Sequence, residues 1–244
     1  MPCQIDDISV VLPTLNEQRN IATFLASLPP AVELVVVDAS TDGTDQLIMA
    51  LRPERTRVIR STAGLTMARQ IGAEAAQGQW LVFTDADVCF EPGYFDYLCR
   101  SINADAFYGP KYATVAHPIY SRLFIAWQVS IHRLGTAASS GSNMGMHRDV
   151  FAQLGGFRLD LPVNEDTELM MRARRRGFRV DYIHGLAVRS IDDRRLQRGV
   201  IFKTVHSVSR NTLLFVDMYI PIPRRWLSHD WGYWSFSHAH RSDL

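Results

Sequence analysis

Apolar segments and segments of helical periodicity alternate along the first hundred residues. Apolar and β-branched residues dominate 8–12, 33–38 and 80–84, and such runs are typical of strands buried on both faces. Between them, apolar residues recur every three or four positions, which predicts helices. The other predicted elements are a helix from its candidate cap Asn16 to Pro29, helices over 46–51 and 65–76, the latter closed by Gly78, and a strand over 57–60. This alternation predicts an α/β fold, a parallel sheet covered by helices.

The second half of the chain has a different order of elements. A strand is predicted over 106–112 and a helix over 117–134, before a loop of small residues and a short strand. Later elements are predicted helices over 149–154, 165–176 and 200–216, and a strand-like segment over 178–183. Few helix signals follow, so 226–244 is not assigned. We expect one domain and a C-terminal helical extension with tail: a domain over 1–190, its halves at about 1–100 and 101–190, and the extension over 191–244.

Composition and charge narrow the classes of protein to consider. Hydrophobic residues make up 47% and charged residues 21% of the sequence, as in globular proteins with a substantial core. The formal net charge of +1 provides no overall field for nucleic acid, so we expect no nucleic-acid partner. Cys3, Cys89 and Cys99 are odd in number and lack the spacing of a zinc site, which favours a reducing compartment.

Two apolar segments, 123–134 and 200–222, are candidates for membrane contact. Charged residues or histidines interrupt both, so neither is expected to span a bilayer. The start of the chain has no basic segment followed by an apolar one, which is the pattern of a signal peptide. We therefore expect a cytoplasmic protein, with a peripheral position at the inner face of the membrane as an alternative.

Two carboxylates follow the strand predicted over 80–84. Asp85 and Asp87 are separated by one residue, and ligands of open α/β sheets bind at the carboxyl ends of strands. Carboxylate oxygens suit a divalent cation that carries a diphosphate. Alternatively, two solvated aspartates simply end the strand. Neither a Gly-x-Gly-x-x-Gly motif nor a phosphate loop is present, which argues against a dinucleotide fold or a phosphate-loop enzyme.

Arginines are concentrated in two segments of the second half. Those between 172 and 179 are interpreted as a solvated helix face. The group from 189 to 198 follows a predicted strand, and either a solvated surface or contact with phosphate fits it.

Several short blocks, taken in order, resemble family 2 glycosyltransferases of the GT-A fold. The resemblance covers roughly 8–190 and rests on these blocks: SVVLPTLNE from Ser9, VVVDASTDGT from Val35, ARQIG from Ala68, FTDAD from Phe83 and NEDTEL from Asn164. It implies a Rossmann-like, mixed but mainly parallel sheet flanked by helices, with a nucleotide-binding half and an acceptor-binding half.

The resemblance also implies a nucleotide site at the strand ends. Its implied residues are Pro13, Thr14, Asn16, Glu17, Asp38, Arg69, Asp85 and Ala86. A carboxylate such as Asp38 can accept from a base N–H or a ribose hydroxyl, although a turn-capping role is also open. Capping by Asn16 and a surface position for Arg69 are likewise left open.

In the resembled family, the second aspartate of the Asp-x-Asp motif ligates Mg²⁺ or Mn²⁺. This implies Asp87 as the metal ligand and a divalent cation as the cofactor. Many relatives supply a histidine as a further ligand, but Val188-Arg189-Ser190 occupies that region here. His184 comes earlier and is expected to face the core. Positive charge near the diphosphate is instead assigned to Arg189, Arg194 or Arg195.

The acceptor half carries the implied catalytic acids. Asp166 is assigned as the base that deprotonates the acceptor hydroxyl, and Glu165 as a residue that orients the acceptor or stabilises the loop. Acidic residues in a first helical turn are also favoured by the helix dipole alone. The small residues Gly141, Ser142 and Asn143 are implied to floor the donor-sugar pocket, unless they form only a tight loop.

Together these features predict an inverting, metal-dependent glycosyltransferase that moves one sugar from a nucleotide donor to an acceptor hydroxyl. The acceptor, a saccharide or a lipid-linked molecule, is not identified, and the sequence does not define the oligomeric state. Nucleotidyl transfer on a related fold and binding of a nucleotide sugar without catalysis are the alternatives. The segment 200–226, apolar with flanking basic residues, is a candidate contact with a lipid surface.

Overall fold

A seven-stranded sheet with helices on both faces forms the centre of the structure. This computed structural model describes residues 3–114, 118–161, 164–192, 200–217, 220, 222–223 and 226–227. The strand order is β3-β2-β1-β4-β8-β6-β9, and a second sheet has the order β5-β10-β7. Strands of the large sheet are parallel except where β8 pairs with its two neighbours. The predicted α/β fold with a mixed, mainly parallel sheet is therefore confirmed.

The elements have the following bounds. The strands are β1 Ile8–Thr14, β2 Glu33–Asp38, β3 Thr56–Arg60, β4 Trp80–Phe83, β5 Val88–Phe90, β6 Ala106–Tyr108, β7 Lys111–Tyr112, β8 Met144–His147, β9 Val180–Tyr182 and β10 Val188–Ser190. The helices are α1 Ile21–Ala26, α2 Thr44–Leu51, α3 Leu65–Ala75, α4 Tyr94–Ser101, α5 Pro118–Arg133, α6 Arg148–Leu154, α7 Glu165–Arg175 and α8 Val200–Asp217.

The direction of the strands brings polar residues to one edge of the large sheet. Because β1 to β4 are parallel, their carboxyl ends meet at that edge, and Thr14 is paired with Asp38 there. Strand β8 runs antiparallel to β4, and its first residue, Met144, pairs with Phe83. The loop before β8 therefore lies at the same edge as the two carboxylates that follow β4.

Alternating side chains of the central strands pack into two cores, one on each face of the large sheet. Val11 and Val35 belong to one core, with residues of α3, α6, α7 and α8. Val10 and Val36 belong to the other core, with residues of α1, α2 and α4. Each of these four valines is fully buried, and such burial contributes roughly 1.5–3 kcal/mol per side chain.

The C-terminal extension packs against the first of these cores. Leu214 and Leu227 are buried there, and the buried guanidinium of Arg210 donates to the Leu227 carbonyl at 2.5 Å. No helix in the described ranges is sufficiently long and apolar to cross a bilayer. Of the unassigned segment 226–244, residues 228–244 lie outside the described residues.

The small sheet and α4 are absent from the sequence prediction. Strand β5 follows Asp87 directly, and the Asp87 carbonyl accepts from the amide of Ile191 at 2.8 Å. The strand predicted over 106–112 is two strands, β6 and β7, which belong to different sheets. Strands of two or three residues are too short to show periodicity, which explains why the small sheet was not predicted.

Several local predictions are wrong. Helix α1 begins at Ile21, and Asn16 lies in the left-handed region with φ 54° instead of capping the helix. His184 is exposed and does not face the core. The first arginine group is only partly a solvated face, because Arg172 pairs with Glu168 and donates to two backbone carbonyls.

Gly78 does not close α3, which ends at Ala75. Glycine is required at position 78 because a side chain would meet neighbouring backbone atoms. A Cβ there would lie 2.5 Å from the Asp7 carbonyl oxygen and 2.8 Å from the Ser9 amide nitrogen. We expect Gly78→Ala to lower the free energy of unfolding by about 1–3 kcal/mol, because backbone atoms must move. Gly64→Ala is the matched control, since a Cβ at Gly64 meets no atom within 4 Å. Equal stability of the two variants in urea unfolding would contradict this explanation.

Candidate functional site

A buried guanidinium lies at the centre of the polar edge. Arg69 projects from α3, is 2% exposed, and its Nη2 lies 2.7 Å from Asp85 Oδ1. Its Nη1 pairs with Glu165 Oε1 at the start of α7. Arg69 thus joins the carboxyl end of β4 to the amino end of α7 through two ion pairs. The sequence alternative of a surface arginine is wrong.

A second chain of polar contacts runs from Asp85 to Asp87. Ser142 Oγ donates to Asp85 Oδ2 at 2.6 Å and accepts from Lys111 Nζ at 3.0 Å. The same ammonium lies 3.6 Å from Asp87 Oδ1. Asp85 and Asp87 are both buried, each with 6% exposure, so they are not solvated residues at the end of a strand.

Asp166 is fixed by two backbone amides. Its Oδ2 accepts from Gly141 N at 2.5 Å and its Oδ1 from Thr167 N at 2.6 Å. Asp166 is half-buried, whereas its neighbour Glu165 is buried. A Cβ on Gly141 would lie 2.4 Å from Arg69 Nη2, so glycine permits the loop to cover the guanidinium.

Burial changes the acidity of the two acids. Removal from solvent raises the pKa of Glu165 to about 7, although Arg69 opposes this rise. The pKa of Asp166 is raised for the same reason, and Arg69 and the two backbone amides oppose it. Carboxyl groups with raised pKa values in a polar cluster are typical of catalytic sites.

Two loops at the ends of β1 and β2 are connected by hydrogen bonds. Asn16 N donates to Ser40 Oγ at 2.8 Å, and Asn16 Oδ1 accepts from Thr41 N at 2.9 Å. Glu17 is buried, and its amide donates to Thr44 Oγ1 at 3.1 Å. Two further predicted nucleotide residues are Pro13 and Ala86. Pro13 is half-buried near the end of β1, and Ala86 is buried and follows β4. Hydrogen bonds therefore connect the loops that follow β1 and β2, and the predicted nucleotide contacts of these residues stay a prediction.

Asp38 has protein partners of its own. It is fully buried, accepts from Thr14 Oγ1 and Ser40 Oγ, each at 2.6 Å, and pairs with Arg60. These contacts hold the ends of β1, β2 and β3 together. The predicted contact of Asp38 with a nucleotide stays a prediction.

The side chain of Asn143 has protein partners. Its side chain is fully buried; Nδ2 donates to the carbonyls of Pro110 and Leu186, and Oδ1 accepts from Tyr94 Oη at 2.8 Å. These contacts use the side-chain amide inside the protein. The predicted contact of Gly141, Ser142 and Asn143 with a donor sugar stays a prediction.

The arginines assigned to the diphosphate are not confirmed. Arg189 Nε donates to Glu91 Oε1 at 2.8 Å, and its guanidinium lies above the ring of Tyr112. Arg189 thus contacts Glu91, which follows β5, and Tyr112, which lies in β7. Arg194 and Arg195 lie outside the described residues. Among the described residues, Lys111 brings a positive charge close to Asp87. The sequence analysis missed it because a lone lysine after Gly-Pro carries no motif.

The described residues contain no group of three or more His, Cys, Asp and Glu side chains arranged to hold a metal. Mg²⁺ is commonly held by one or two carboxylates together with substrate phosphates, so a complete protein cage is not required. The Asp87 carboxylate is a hard oxygen donor, 8% exposed, at the edge of the cleft. The donor set therefore fits a cation that is shared with a diphosphate.

Comparison with known proteins identifies the class. The model of the family "Glycosyl transferase family 2" matches residues 9–155, and the chain belongs to this family. Its fold is that of GT-A glycosyltransferases. The resemblance noted from the motifs is thereby confirmed.

The relatives include distant glycosyltransferases and a succinoglycan biosynthesis protein. Glycosyltransferase AglD of Haloferax volcanii is 29% identical over 71% of this chain and 32% of its own length. The succinoglycan biosynthesis protein ExoA of Rhizobium meliloti is 25% identical over 70% of this chain and 59% of its own length. An uncharacterized glycosyltransferase of Haemophilus influenzae is 23% identical over 68% of this chain and 61% of its own length. The chain spans less than two thirds of each.

Two solved structures share the fold. The mannosyltransferase PcManGT from Pyrobaculum calidifontis, in complex with GDP-Man and Mn²⁺, has a TM-score of 0.67 and 19% identity, over 98% of this chain and 76% of its own. S. aureus TarS 1-349, in complex with UDP-GlcNAc, has a TM-score of 0.64 and 18% identity, over 97% of this chain and 73% of its own.

The raised pKa of Glu165 predicts a pH-dependent stability. Between pH 4.5 and about 7 the folded state holds a proton that the unfolded state has lost, so the free energy of unfolding falls as pH rises through this window. We expect the decrease in the free energy of unfolding between pH 5 and 7.5 to be smaller in Glu165→Gln by roughly 1–3 kcal/mol.

The measurement is urea unfolding across this pH range. The variants are compared by the slope of the free energy of unfolding against pH. The stability at a single pH is not used, because Glu165→Gln also loses the ion pair with Arg69. Glu74→Gln, on the exposed face of α3, is the control and should keep the wild-type slope. A Glu165→Gln variant with the wild-type slope would overturn the assignment of a raised pKa to Glu165.

Proposed function

We propose that this protein transfers one sugar from a nucleoside diphosphate sugar to an acceptor hydroxyl, with inversion and with the help of a divalent cation. One observation carries the proposal: Arg69, Ser142 and Gly141 connect the carboxylates at the end of β4 with the acids that begin α7. This connection supports a shared site for the residues assigned to the donor and those assigned to the acceptor. Family membership supports the reaction class.

Asp166 is the base in this proposal. A base must be within hydrogen-bond reach of the acceptor hydroxyl, and Asp166 is half-buried, whereas Glu165 is buried against Arg69. Two backbone amides fix its carboxylate, and its raised pKa makes it a stronger base than an ordinary carboxylate. Glu165 instead holds Arg69 and, through it, Asp85.

The reaction is a single displacement. The acceptor hydroxyl gives its proton to Asp166 while its oxygen forms a bond to the anomeric carbon. The bond from that carbon to the diphosphate oxygen breaks, and the nucleoside diphosphate leaves with the electron pair. Attack from the face opposite the leaving group inverts the anomeric configuration. Positioning of both substrates and stabilisation of charge supply the acceleration.

The leaving diphosphate needs positive charge. A divalent cation at Asp87 would act as a Lewis acid that neutralises the developing charge. The protein contributes the Asp87 carboxylate and the ammonium of Lys111 at this point. The presence of Mn²⁺ with GDP-Man in PcManGT supports the assignment of a divalent cation.

The nucleotide is assigned to the wall formed by the loops after β1 and β2. Its proposed contacts are Pro13, Thr14, Asn16, Glu17, Asp38, Arg69, Asp85 and Ala86. Gly141 and Ser142 are assigned to the donor sugar. GDP-Man and UDP-GlcNAc are the donors to test first, because the two solved structures contain them.

Asp166→Asn tests the base. We expect turnover of the donor to fall about 10²- to 10⁴-fold, because the acceptor proton has no base, while donor binding stays near the wild-type level. Donor consumption and the anomeric product are followed with GDP-Man and UDP-GlcNAc across an acceptor panel. Asp149→Asn is the control, since Asp149 is 78% exposed on α6.

Wild-type turnover by Asp166→Asn would refute the role of Asp166. The same assays separate the two alternative functions. Release of pyrophosphate from a nucleoside triphosphate and a sugar phosphate indicates nucleotidyl transfer. Tight donor binding without turnover on every acceptor indicates a binding protein.

We also propose that the C-terminal extension contacts an anionic lipid surface. Phe215, Ile220 and Trp226 are 41%, 66% and 51% exposed, and two arginines immediately precede Trp226 in the sequence. Apolar side chains beside basic residues are typical of peripheral membrane contacts. A lipid-linked acceptor would be reached from this position.

Substitution of both Ile220 and Trp226 by serine tests this contact. We expect the double variant to sediment with anionic vesicles about fivefold less than wild type, since the apolar side chains no longer enter the bilayer interface. Leu51→Ser is the control, because Leu51 is 53% exposed on the other face of the large sheet. Truncation is avoided, since it removes the buried Leu227. Equal sedimentation of all three proteins would remove the proposal.

A further inference from the structure

Lys111 is an unusual residue for this chain. Only two of the 26 basic residues are lysines, and one of them lies at the candidate site. Its side chain is 16% exposed, and its Nζ lies 3.0 Å from Ser142 Oγ and 3.6 Å from Asp87 Oδ1. The ammonium is therefore beside the carboxylate that is proposed to hold the cation.

The strands around Lys111 anchor its backbone, and its ammonium contacts side chains. The carbonyl of Pro110 accepts from Asn143 Nδ2 at 2.9 Å and from Val188 N at 3.1 Å. Strand β7 also pairs with β10, in a register that places Lys111 opposite Val188. Beyond this anchored backbone, a lysine has a flexible four-carbon stem and a compact charge, unlike the planar fork of arginine. The ammonium can therefore change partners without a change in the sheet.

The charges near Asp87 create a competition. An ammonium 3.6 Å from the carboxylate repels a divalent cation that approaches the same oxygen. A diphosphate attracts both the ammonium and the divalent cation. When a diphosphate is present, the ammonium has a second anionic partner, and the repulsion at Asp87 decreases.

We propose that Lys111 makes binding of the divalent cation depend on the donor. In the free protein its ammonium stays beside Asp87 and keeps the affinity for the cation low. Bound diphosphate draws the ammonium away and admits the cation, so that cation and donor bind cooperatively. This inference rests on the proposed function and adds an order of binding to it.

The test compares Mn²⁺ binding by wild type and Lys111→Met, alone and with saturating UDP or GDP, by titration calorimetry and the EPR signal of free Mn²⁺. We expect Lys111→Met to bind Mn²⁺ alone at least about fivefold more tightly, because the neighbouring positive charge is gone. The factor by which UDP or GDP tightens Mn²⁺ binding should fall at least about fivefold, and by linkage so should the effect of Mn²⁺ on the nucleotide.

Matched variants locate the effect. Lys111→Arg keeps the charge and should retain weak binding of Mn²⁺ alone. Arg179→Met removes an exposed charge at the other end of the sheet, where Arg179 pairs with Asp181, and should bind Mn²⁺ like wild type. Lys111→Gln repeats the test if Lys111→Met does not fold.

The Asp87→Asn variant separates failure of the inference from failure of the proposed function. If wild type binds Mn²⁺ with nucleotide and Asp87→Asn does not, the metal site stands, and unchanged Mn²⁺ binding by folded Lys111→Met overturns the role of Lys111 alone. If Mn²⁺ binding with nucleotide is the same in wild type and Asp87→Asn, the metal site and the inference both fail.

Discussion

The double ion pair of Arg69 is the interaction on which the candidate site depends. A guanidinium that is 2% exposed is stable only if charged partners replace the water that it has lost, and Asp85 and Glu165 provide them. The two acids come from different halves of the chain, so their shared cation fixes the distance between the end of β4 and the start of α7. The loop that carries Gly141 closes over the same guanidinium and donates to Asp166. The positions of the carboxylate at the end of β4 and of the acids at the start of α7 therefore follow from one buried charge.

Topology explains why these residues meet. Four parallel strands direct their carboxyl ends to one edge, and the single reversal at β8 brings the small-residue loop to that edge as well. The small sheet then continues from Asp87 and returns through β7 and β10, which places a lysine beside the acid. Each of these arrangements results from the direction of the strands. The polar side chains can act together only because the strand directions bring them to one edge of the sheet.

Much of the fold was predictable because its central strands are long, apolar and β-branched, and β1, β2 and β4 were found within two residues of their bounds. The family motifs likewise indicated Arg69, Asp85, Asp87 and Asp166. Other features depend on contacts that leave no pattern in the sequence. Lys111 is not part of a sequence motif and follows a strand of three residues. The side-chain amide of Asn143 donates to carbonyls of two segments that are distant in the sequence. Nothing in the spacing of Arg172 revealed that its guanidinium would bind the carbonyls that end α6.

The sequence separation of the central ion pair has a consequence for folding. Arg69 and Glu165 are 96 residues apart, and Ser142 reaches Asp85 across 57. Closing loops of that length costs entropy, which favours the formation of contacts between residues closer in sequence before such pairings. A chain that ends before α7 contains Arg69 and Asp85 but lacks Glu165 and Asp166. Competence of the cleft is thus a property of the finished chain, and no fragment that stops short of α7 possesses it.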